Sequence, residues 1–307
     1  MQIYLPIADM PISIFLVLGL SAAVGFISGM FGVGGGFLLT PLLIFIGVPA
    51  AISVATVSAQ ITASSMTGAL AYWRRRALDV KLGTVLLMGG LVGTVLGVWF
   101  FNAMRRIGQL ELVIILSYIT LLGGVGSLML VESLKALWTE RRGVVPPRKR
   151  GPHHPWYFGL PLRMRFQRSK LYVSVIPLAV LSITIGFLGA VLGIGGGFLM
   201  VPALLYLFRV PTAVVVGTSL FQILFTMVAA TVLHAVTNQA VDVILALLLV
   251  LGGVFGAQFG ARAGRNVKGE HFRLLLSLIV LAVGVRFATE AVIRPADPYS
   301  LGATELR

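Results

Sequence analysis

Two glycine-rich runs carry the spacing in this chain that best fits ligand binding. They consist of Gly32, Gly34, Gly35 and Gly36, and of Gly193, Gly195, Gly196 and Gly197. Each run precedes a short apolar segment, and the free N–H groups at the positive end of a helix bind anions. Glycine permits positive φ and lets a ligand approach the backbone without a Cβ in the way. We therefore predict an anion site at the two runs; the alternative is that these glycines only let helices pack closely.

Two threonine–glutamine pairs are the other candidates for contact with a substrate. Thr56 and Gln60 occur in one apolar segment, and Thr218 and Gln222 at the equivalent positions of another. The members of each pair are four residues apart, so both side chains lie on one face of a helix. A buried amide is costly in lipid unless it has a partner. Two interpretations stay open: contact with substrate, or interhelical hydrogen bonds that contribute about 0.6–2 kcal/mol each.

The sequence lacks the residues that catalysis, metal binding or proton transfer would require. The absence of cysteine excludes disulfides, zinc–thiolate sites, iron–sulfur clusters and cysteine nucleophiles. No acid lies in the middle of an apolar segment, because Asp79 and Asp242 begin segments, so proton relays and cation sites are poorly supported. His234 is more typical of a satisfied histidine near a membrane interface than of a proton carrier. Without a paired nucleophile and base, a metal-ligand cluster or a cofactor motif, we expect no enzyme, no metal and no cofactor.

The composition is that of a membrane protein. Mean hydropathy is +0.98, 58% of the 307 residues are hydrophobic and only 11% are charged. Such a composition cannot cover the surface of a soluble protein of this size. Apolar segments run over 11–31, 36–48, 50–73, 82–103, 109–134, 171–192, 197–208, 212–235, 241–262 and 272–293. With five segments in each half, we predict an all-α polytopic membrane protein.

The two halves of the chain are duplicates. Residues 25–41, GFISGMFGVGGGFLLTP, match residues 186–202, GFLGAVLGIGGGFLMVP, without a gap. Five crossings per half give the halves opposite orientations, an inverted-topology repeat in which a transporter forms its site between the repeats. As helices, segments 36–48 and 197–208 reach only about 20 Å of a hydrocarbon core of about 30 Å, which predicts short broken helices. The predicted organisation is a repeat over 11–134, a basic loop over 135–170 and a second repeat over 171–293.

Positive charge is concentrated between the two repeats. Residues 135–170 contain ten Lys or Arg and one acid, in a chain of net charge +14. The positive-inside rule places this loop in the cytoplasm, with anionic lipids as its partners, and both termini outside the cell. Binding to nucleic acid is the weaker interpretation of these charges, and we expect none.

The doubled motif resembles that of the sulfite exporter TauE/SafE family of bacterial inner-membrane transporters. The resemblance rests on the two GxGGG[FL]…P segments, each followed by a Thr…Gln helix, and it covers both halves but not the basic loop. It implies transport of sulfite, sulfonates or organic acid anions across the plasma membrane, and the family name implies net export. The residues it would place in the pathway are the Thr/Gln pairs, Gly34–Gly36 with Pro41, and Gly195–Gly197 with Pro202.

Together these features predict a secondary transporter of a small anion, which alternately exposes a site between the halves to the two sides of the membrane. The alternative is a channel-like or structural membrane protein whose glycines serve only helix packing. A homo-oligomer is compatible with the sequence.

Overall fold

The computed structural model describes residues 2–31, 35–141, 161–166, 169, 171–208, 210–263 and 269–292. Ten α-helices lie within these ranges: α1 (Ile14–Phe31), α2 (Gly36–Phe45), α3 (Ala50–Arg74), α4 (Val80–Ile107), α5 (Leu110–Arg141), α6 (Val175–Leu192), α7 (Gly197–Tyr206), α8 (Thr212–Leu233), α9 (Val243–Ala263) and α10 (Gly269–Val292). A π-helical turn, His234–Asn238, follows α8. Each predicted apolar segment corresponds to one of these helices, which confirms the all-α polytopic class.

Five of the helices are long and apolar enough to cross a membrane. The spans are Val80–Ile107, Leu110–Lys135, Val175–Leu192, Val214–Asn238 and Val243–Gly260. The two helices that follow the glycine runs, α2 and α7, have 10 residues each and are about 15 Å long. The prediction of short helices after the glycine runs is confirmed.

Two β-hairpins precede α1 and α6, and the sequence did not indicate them. Strand β1 (Gln2–Leu5) pairs with β2 (Met10–Ser13), and β3 (Arg163–Phe166) pairs with β4 (Leu171–Ser174), both antiparallel. Each strand of the second hairpin begins 161 residues after its counterpart, which is the offset of the glycine runs, so the hairpins belong to the repeat. Within the predicted basic loop, residues 135–141 continue α5 and residues 163–166 form β3, whereas residues 142–160 lie outside the described part of the chain.

The chain divides into two compact units, and each combines helices from both halves. One unit spans Met1–Glu111 with Arg148–Val267 and contains α1–α4 and α6–α9. In it, α1 packs on α9, α4 on α6 and α3 on α8. The other spans Leu112–Pro147 with Lys268–Arg307 and contains most of α5 with α10, where Tyr118 stacks on Phe287 at 5.2 Å. The predicted boundaries at 134 and 170 describe the duplication, and the compact units do not follow them.

Glycines allow the tightest helix contacts in the larger unit. A Cβ on Gly256 would overlap the carbonyl oxygen of Ala22 in α1, and one on Gly93 would overlap that of Ile183 in α6. Gly260 and Phe26 repeat the pattern four residues further along α9 and α1. Backbones that approach this closely leave no room for any side chain, so these glycines of α4 and α9 serve helix packing.

The directions of the paired helices agree with opposite orientations of the halves. In the contacts of α9 with α1, Gly252 meets Leu18 and Gly260 meets Phe26, so the two helices run parallel. Helices α4 and α6 are parallel by the same pattern. In contrast, α3 and α8 are antiparallel, because Ser58 contacts Thr231 and Gly68 meets Leu220. If ten segments cross a membrane in alternating directions, α1 and α9 must be parallel, α4 and α6 must be parallel, and α3 and α8 must be antiparallel, as observed.

Gly256→Ala should lower the melting temperature in detergent, because its methyl group must displace the Ala22 carbonyl. Gly19→Ala, in α1, is the matched control, since a Cβ there meets nothing within 4 Å. That control should melt at or above the wild-type temperature, because alanine stabilises a helix interior by about 0.5–1 kcal/mol over glycine. Equal melting temperatures for both variants would contradict close packing at Gly256.

Single cysteines in the two hairpins should react from opposite sides of the membrane. Tyr4 is 56% exposed in β1 and Met164 is 42% exposed in β3, and the chain has no native cysteine to interfere. In intact cells, we expect an impermeant maleimide to label Tyr4→Cys and to spare Met164→Cys until the membrane is opened. Labelling of both from outside would refute the inverted orientation.

Candidate functional site

The glycine run of the second half forms a non-helical connection between α6 and α7. Gly193, Gly195 and Gly196 have φ values of 67°, 71° and 77°, in the left-handed region that other residues rarely adopt. All residues from Gly193 to Gly197 are buried. Glycine is therefore required here by the backbone itself. In the first half, Gly35 and Gly36 are described and buried, whereas Gly32 and Gly34 lie outside the described residues.

The structure brings the two glycine runs together. The Thr40 hydroxyl of α2 donates a hydrogen bond of 3.3 Å to the carbonyl oxygen of Gly193. A Cβ on Gly36 would lie 2.7 Å from the same oxygen. Phe37 and Phe198, the second residues of α2 and α7, stack with ring centroids 4.5 Å apart. The N-termini of the two short helices thus meet, and we name this place the glycine junction.

Backbone amides are the donors that the glycine junction offers. Gly35 and Gly196 are the N-cap residues of α2 and α7, and neither helix has a side-chain cap. The first amides of a helix have no partner within it, so those of Gly36, Phe37 and their counterparts are donors at a positive helix end. The described residues that we place at the junction carry no charged side chain. An anion there would be bound by dipoles and N–H groups rather than by a counter-ion.

The two glycine runs differ in backbone conformation. Gly35 has φ −72°, which any residue adopts, whereas its counterpart Gly196 has φ 77°. An alanine at Gly35 would place its Cβ 3.1 Å from Val24 Cγ1, a contact that a small side-chain movement relieves. An alanine at Gly196 would strain the backbone as well. The equivalence of the runs in sequence therefore does not extend to their tolerance of substitution.

Thr56 and Thr218 contribute to contacts between helices. The Thr56 hydroxyl accepts a hydrogen bond of 3.1 Å from the amide of Asp242, and the Thr218 hydroxyl accepts one of 3.2 Å from the amide of Asp79. Both threonines are fully buried. They bind the first turns of α9 and α4, which agrees with the interhelical alternative for these two residues.

Gln60 and Gln222 each have one side-chain polar atom without a hydrogen-bond partner among the described residues. The Nε2 of Gln60 lies against Gly253 in α9, and that of Gln222 lies against Gly90 in α4. Both residues are at least nine-tenths buried, and each Oε1 has no hydrogen-bond partner among the described residues. A buried polar group without a partner costs about 1–3 kcal/mol, so these amides need a further interaction. The neighbour of Gln60, Ile61, lies against Gly36 and Gly195 and so connects the first amide to the glycine junction.

Two aspartates organise both ends of the larger unit, and the sequence analysis gave them no role. Asp79 caps α4 by accepting from the Leu82 amide, and its Oδ2 accepts from the amide and hydroxyl of Ser169 at 3.0 and 2.7 Å. Asp242 likewise accepts from the Leu245 amide and, at 3.0 Å, from the amide of Ile7. Each aspartate therefore holds one β-hairpin against one helix. An Asp directly before an apolar segment in both halves was the available signal.

His234 uses both nitrogens of its ring. Nε2 lies 3.1 Å from the carbonyl oxygen of Ala190 in α6, and Nδ1 lies 2.9 Å from Nδ2 of Asn238. The Phe101 ring meets the imidazole edge-on. This is the environment of a satisfied buried histidine. Within the described ranges, no group of three His, Cys, Asp or Glu side chains could hold a metal ion.

Comparison with known proteins identifies the relatives of this chain. A family model described as sulfite exporter TauE/SafE matches residues 17–287. A Bacillus subtilis strain 168 protein named "Probable membrane transporter protein YunE" is 27% identical over 290 residues, which cover 91% of this chain and 98% of the relative. "Probable membrane transporter protein YjnA" of the same organism is 27% identical over 73% of this chain and 79% of the relative. No solved structure matches significantly.

Replacement of Thr56 by Val should destabilise the protein because it leaves the buried amide of Asp242 without its acceptor. We expect a loss of about 1–3 kcal/mol, visible as a lower melting temperature, and the same for Thr218→Val. Thr56→Ser keeps the hydroxyl and should retain most of the stability. If valine were as stable as serine but transport were lost, Thr56 would be a substrate contact instead.

Proposed function

Because the chain belongs to the sulfite exporter TauE/SafE family, we propose that it is a secondary transporter of a small anion, of the sulfite, sulfonate or organic acid type. The convergence of the α2 and α7 N-termini at the glycine junction is the observation that carries this proposal. Two positive helix ends that face one another form an anion site near the membrane midplane in transporters built from broken helices. We assign the substrate to this junction.

The chemistry of the glycine junction favours a small, compact anion. Its donors are main-chain amides, which hydrogen-bond oxyanions without the desolvation of a lysine or arginine side chain. The walls are apolar, since Phe37, Phe198 and Ile61 surround the glycines. A site of this kind selects by size and by the number of accepting oxygens, and it releases its ligand readily because no full opposite charge is present.

The glutamines supply the additional polar contacts of the proposed pathway. Gln60 and Gln222 occupy equivalent positions in α3 and α8, and their Oε1 atoms are among the buried polar atoms that have no hydrogen-bond partner in the described part of the chain. Rotation of either terminal amide exchanges an acceptor for a donor. Each amide could thus bind water or the oxygen of an anion as the site opens to one side.

The mechanism that fits this architecture is alternating access. Rocking of one inverted repeat against the other would expose the junction to each side in turn. The family name suggests net export, across a bacterial plasma membrane with the central loop in the cytoplasm and both termini outside. Anionic lipids at the basic loop, and a homo-oligomeric state, remain part of the same proposal.

The alternative of a channel-like or structural protein has one supporting observation. The glycines of α4 and α9 do serve helix packing. Those glycines are in continuous helices, however, whereas Gly193, Gly195 and Gly196 form a buried break with positive φ. Packing explains close approach between helices and does not explain an interrupted helix.

The deciding experiment is anion flux into proteoliposomes. Wild-type protein should transport sulfite, a small alkyl sulfonate or acetate with a rate that saturates, and substrates should compete; a pH gradient tests proton coupling. In Gly35→Ala the methyl group is added at the N-cap of α2, against Val24 and Ser28 of α1 and without strained φ. Because this change crowds the helix end whose amides we assign to the substrate, the apparent KM should rise most for the bulkiest anion, by about tenfold.

Gly19→Ala serves as the control in the same assay, because its methyl group meets no neighbour. Flux that grows linearly with concentration and shows no competition would favour the channel-like alternative. An equal loss of rate for all anions in Gly35→Ala, together with a lower melting temperature, would remove the substrate from the glycine junction.

A further inference from the structure

The turn between α3 and α4 contains a cleft that the proposed transport mechanism does not use. Trp73, Arg74, Arg76, Leu78 and Val80 line it, and its volume is about 390 Å³. Both arginines are exposed, and the Trp73 side chain is 56% exposed. The cleft lies where α4 begins, and α4 is one of the helices long and apolar enough to cross a membrane.

The backbone of this turn does not favour arginine. The amide of Arg76 donates to the Trp73 carbonyl and that of Ala77 to the Tyr72 carbonyl, the pattern of a Schellman closure at the end of a helix. Arg76 has φ 55°, at the position where glycine is preferred. Any residue with a side chain is less favourable than glycine at this position, so the geometry of the turn does not explain why the residue is arginine.

The second half of the chain repeats this left-handed position without Lys or Arg in its own segment, although the Arg105 side chain of α4 donates a hydrogen bond to the Asn238 carbonyl there. Gln239 is the counterpart of Arg76 and has φ 49°, and Asp242 caps α9 three residues later, as Asp79 caps α4. The segment from Val236 to Val243, VTNQAVDV, contains no Lys or Arg, whereas the counterpart from Trp73 to Val80, WRRRALDV, contains three. The left-handed position and the helix cap that both halves share therefore do not require arginine.

Further positive charge surrounds the cleft. Lys81 follows it in α4, and Arg75 is exposed beside it. The β3–β4 hairpin, with Arg163 and Arg165 exposed, is held at this end by Ser169 on the Asp79 carboxylate. That carboxylate, the acid of the turn, is buried and already accepts three hydrogen bonds.

We propose that this cleft binds the phosphate headgroup of an anionic membrane lipid. Guanidinium groups bind phosphate oxygens in a bidentate manner, and tryptophan prefers the membrane interface. Val80, 43% exposed, and the indole of Trp73 offer an apolar wall for the first part of an acyl chain. A free phosphate ion would gain nothing from these apolar surfaces, so the cleft fits a lipid.

The positive-inside rule accounts for positive residues at this end, but the membrane orientation does not depend on which of the arginines carries the charge. Lipid binding in the cleft, in contrast, depends on the particular arginines that line it. Arg74 and Arg76 line the cleft, whereas Arg75, between them in the sequence, is exposed outside it. Removal of the same number of charges at different positions therefore separates a binding site from a signal for membrane orientation.

The experiment measures lipid binding to delipidated full-length protein in detergent. Dioctanoyl phosphatidylglycerol is titrated beside dioctanoyl phosphatidylcholine and inorganic phosphate, with bound molecules counted by native mass spectrometry. Wild type should bind the phosphatidylglycerol in preference to the other two. In both Arg74→Gln and Arg76→Gly, binding should weaken by about tenfold or more, the loss of one charge-assisted contact.

Two controls match these variants. Arg75→Gln removes an equal charge outside the cleft, and Gln239→Gly makes the equivalent turn substitution at the other end; both should bind the lipid as wild type does. Arg76→Gly puts no strain on the backbone, because glycine suits the left-handed position. Equal weakening in Arg75→Gln, unchanged binding in both cleft variants, or phosphate binding as tight as the lipid would each overturn the proposal.

Discussion

Backbone polar groups within a membrane must find partners inside the protein, and the two broken helices make this constraint acute. Where α6 ends, the residues from Gly193 to Gly196 leave helical geometry while buried. Such a break is stable only if neighbouring helices enclose it. The enclosure is provided by α3, whose Val54 and Ile61 contact Gly193 and Gly195, and by Thr40 of the opposite short helix. Elsewhere in the same unit, close glycine contacts join α1 to α9 and α4 to α6.

Exchange of helices between the halves follows from the same constraint. Helix α4 of the first half packs on α6 of the second, and α9 of the second packs on α1 of the first. Each aspartate cap then joins distant parts of the chain: Asp242 accepts from Ile7, and its own amide donates to Thr56. Residues of the first half enclose the break of the second, and α1–α4 fold together with α6–α9 in one compact unit.

Sequence patterns identified the elements but not their partners. Ten apolar segments and two short helices followed from hydropathy, length and the glycine runs. The hairpins did not, because β1 (QIYL) and β3 (RMRF) are short and share no motif, and their repeat relation is visible only in the backbone. The role of Thr56 was also hidden, since its partner is the main chain of Asp242, 186 residues away. Residue types predict which groups need a hydrogen bond; only the fold decides which group provides it.

The symmetry of the backbone and the asymmetry of the charges have different physical origins. Arg76 and Gln239 occupy the same left-handed position, and Asp79 and Asp242 cap the helices that follow. Local geometry thus fixes what both halves share. In the proposed inverted orientation the two ends face different solutions and different lipid leaflets, so their exposed residues would be under no common constraint. Three arginines in the segment before α4 and none in the segment before α9 are what this difference in surroundings allows, because the left-handed residue and the helix cap tolerate both.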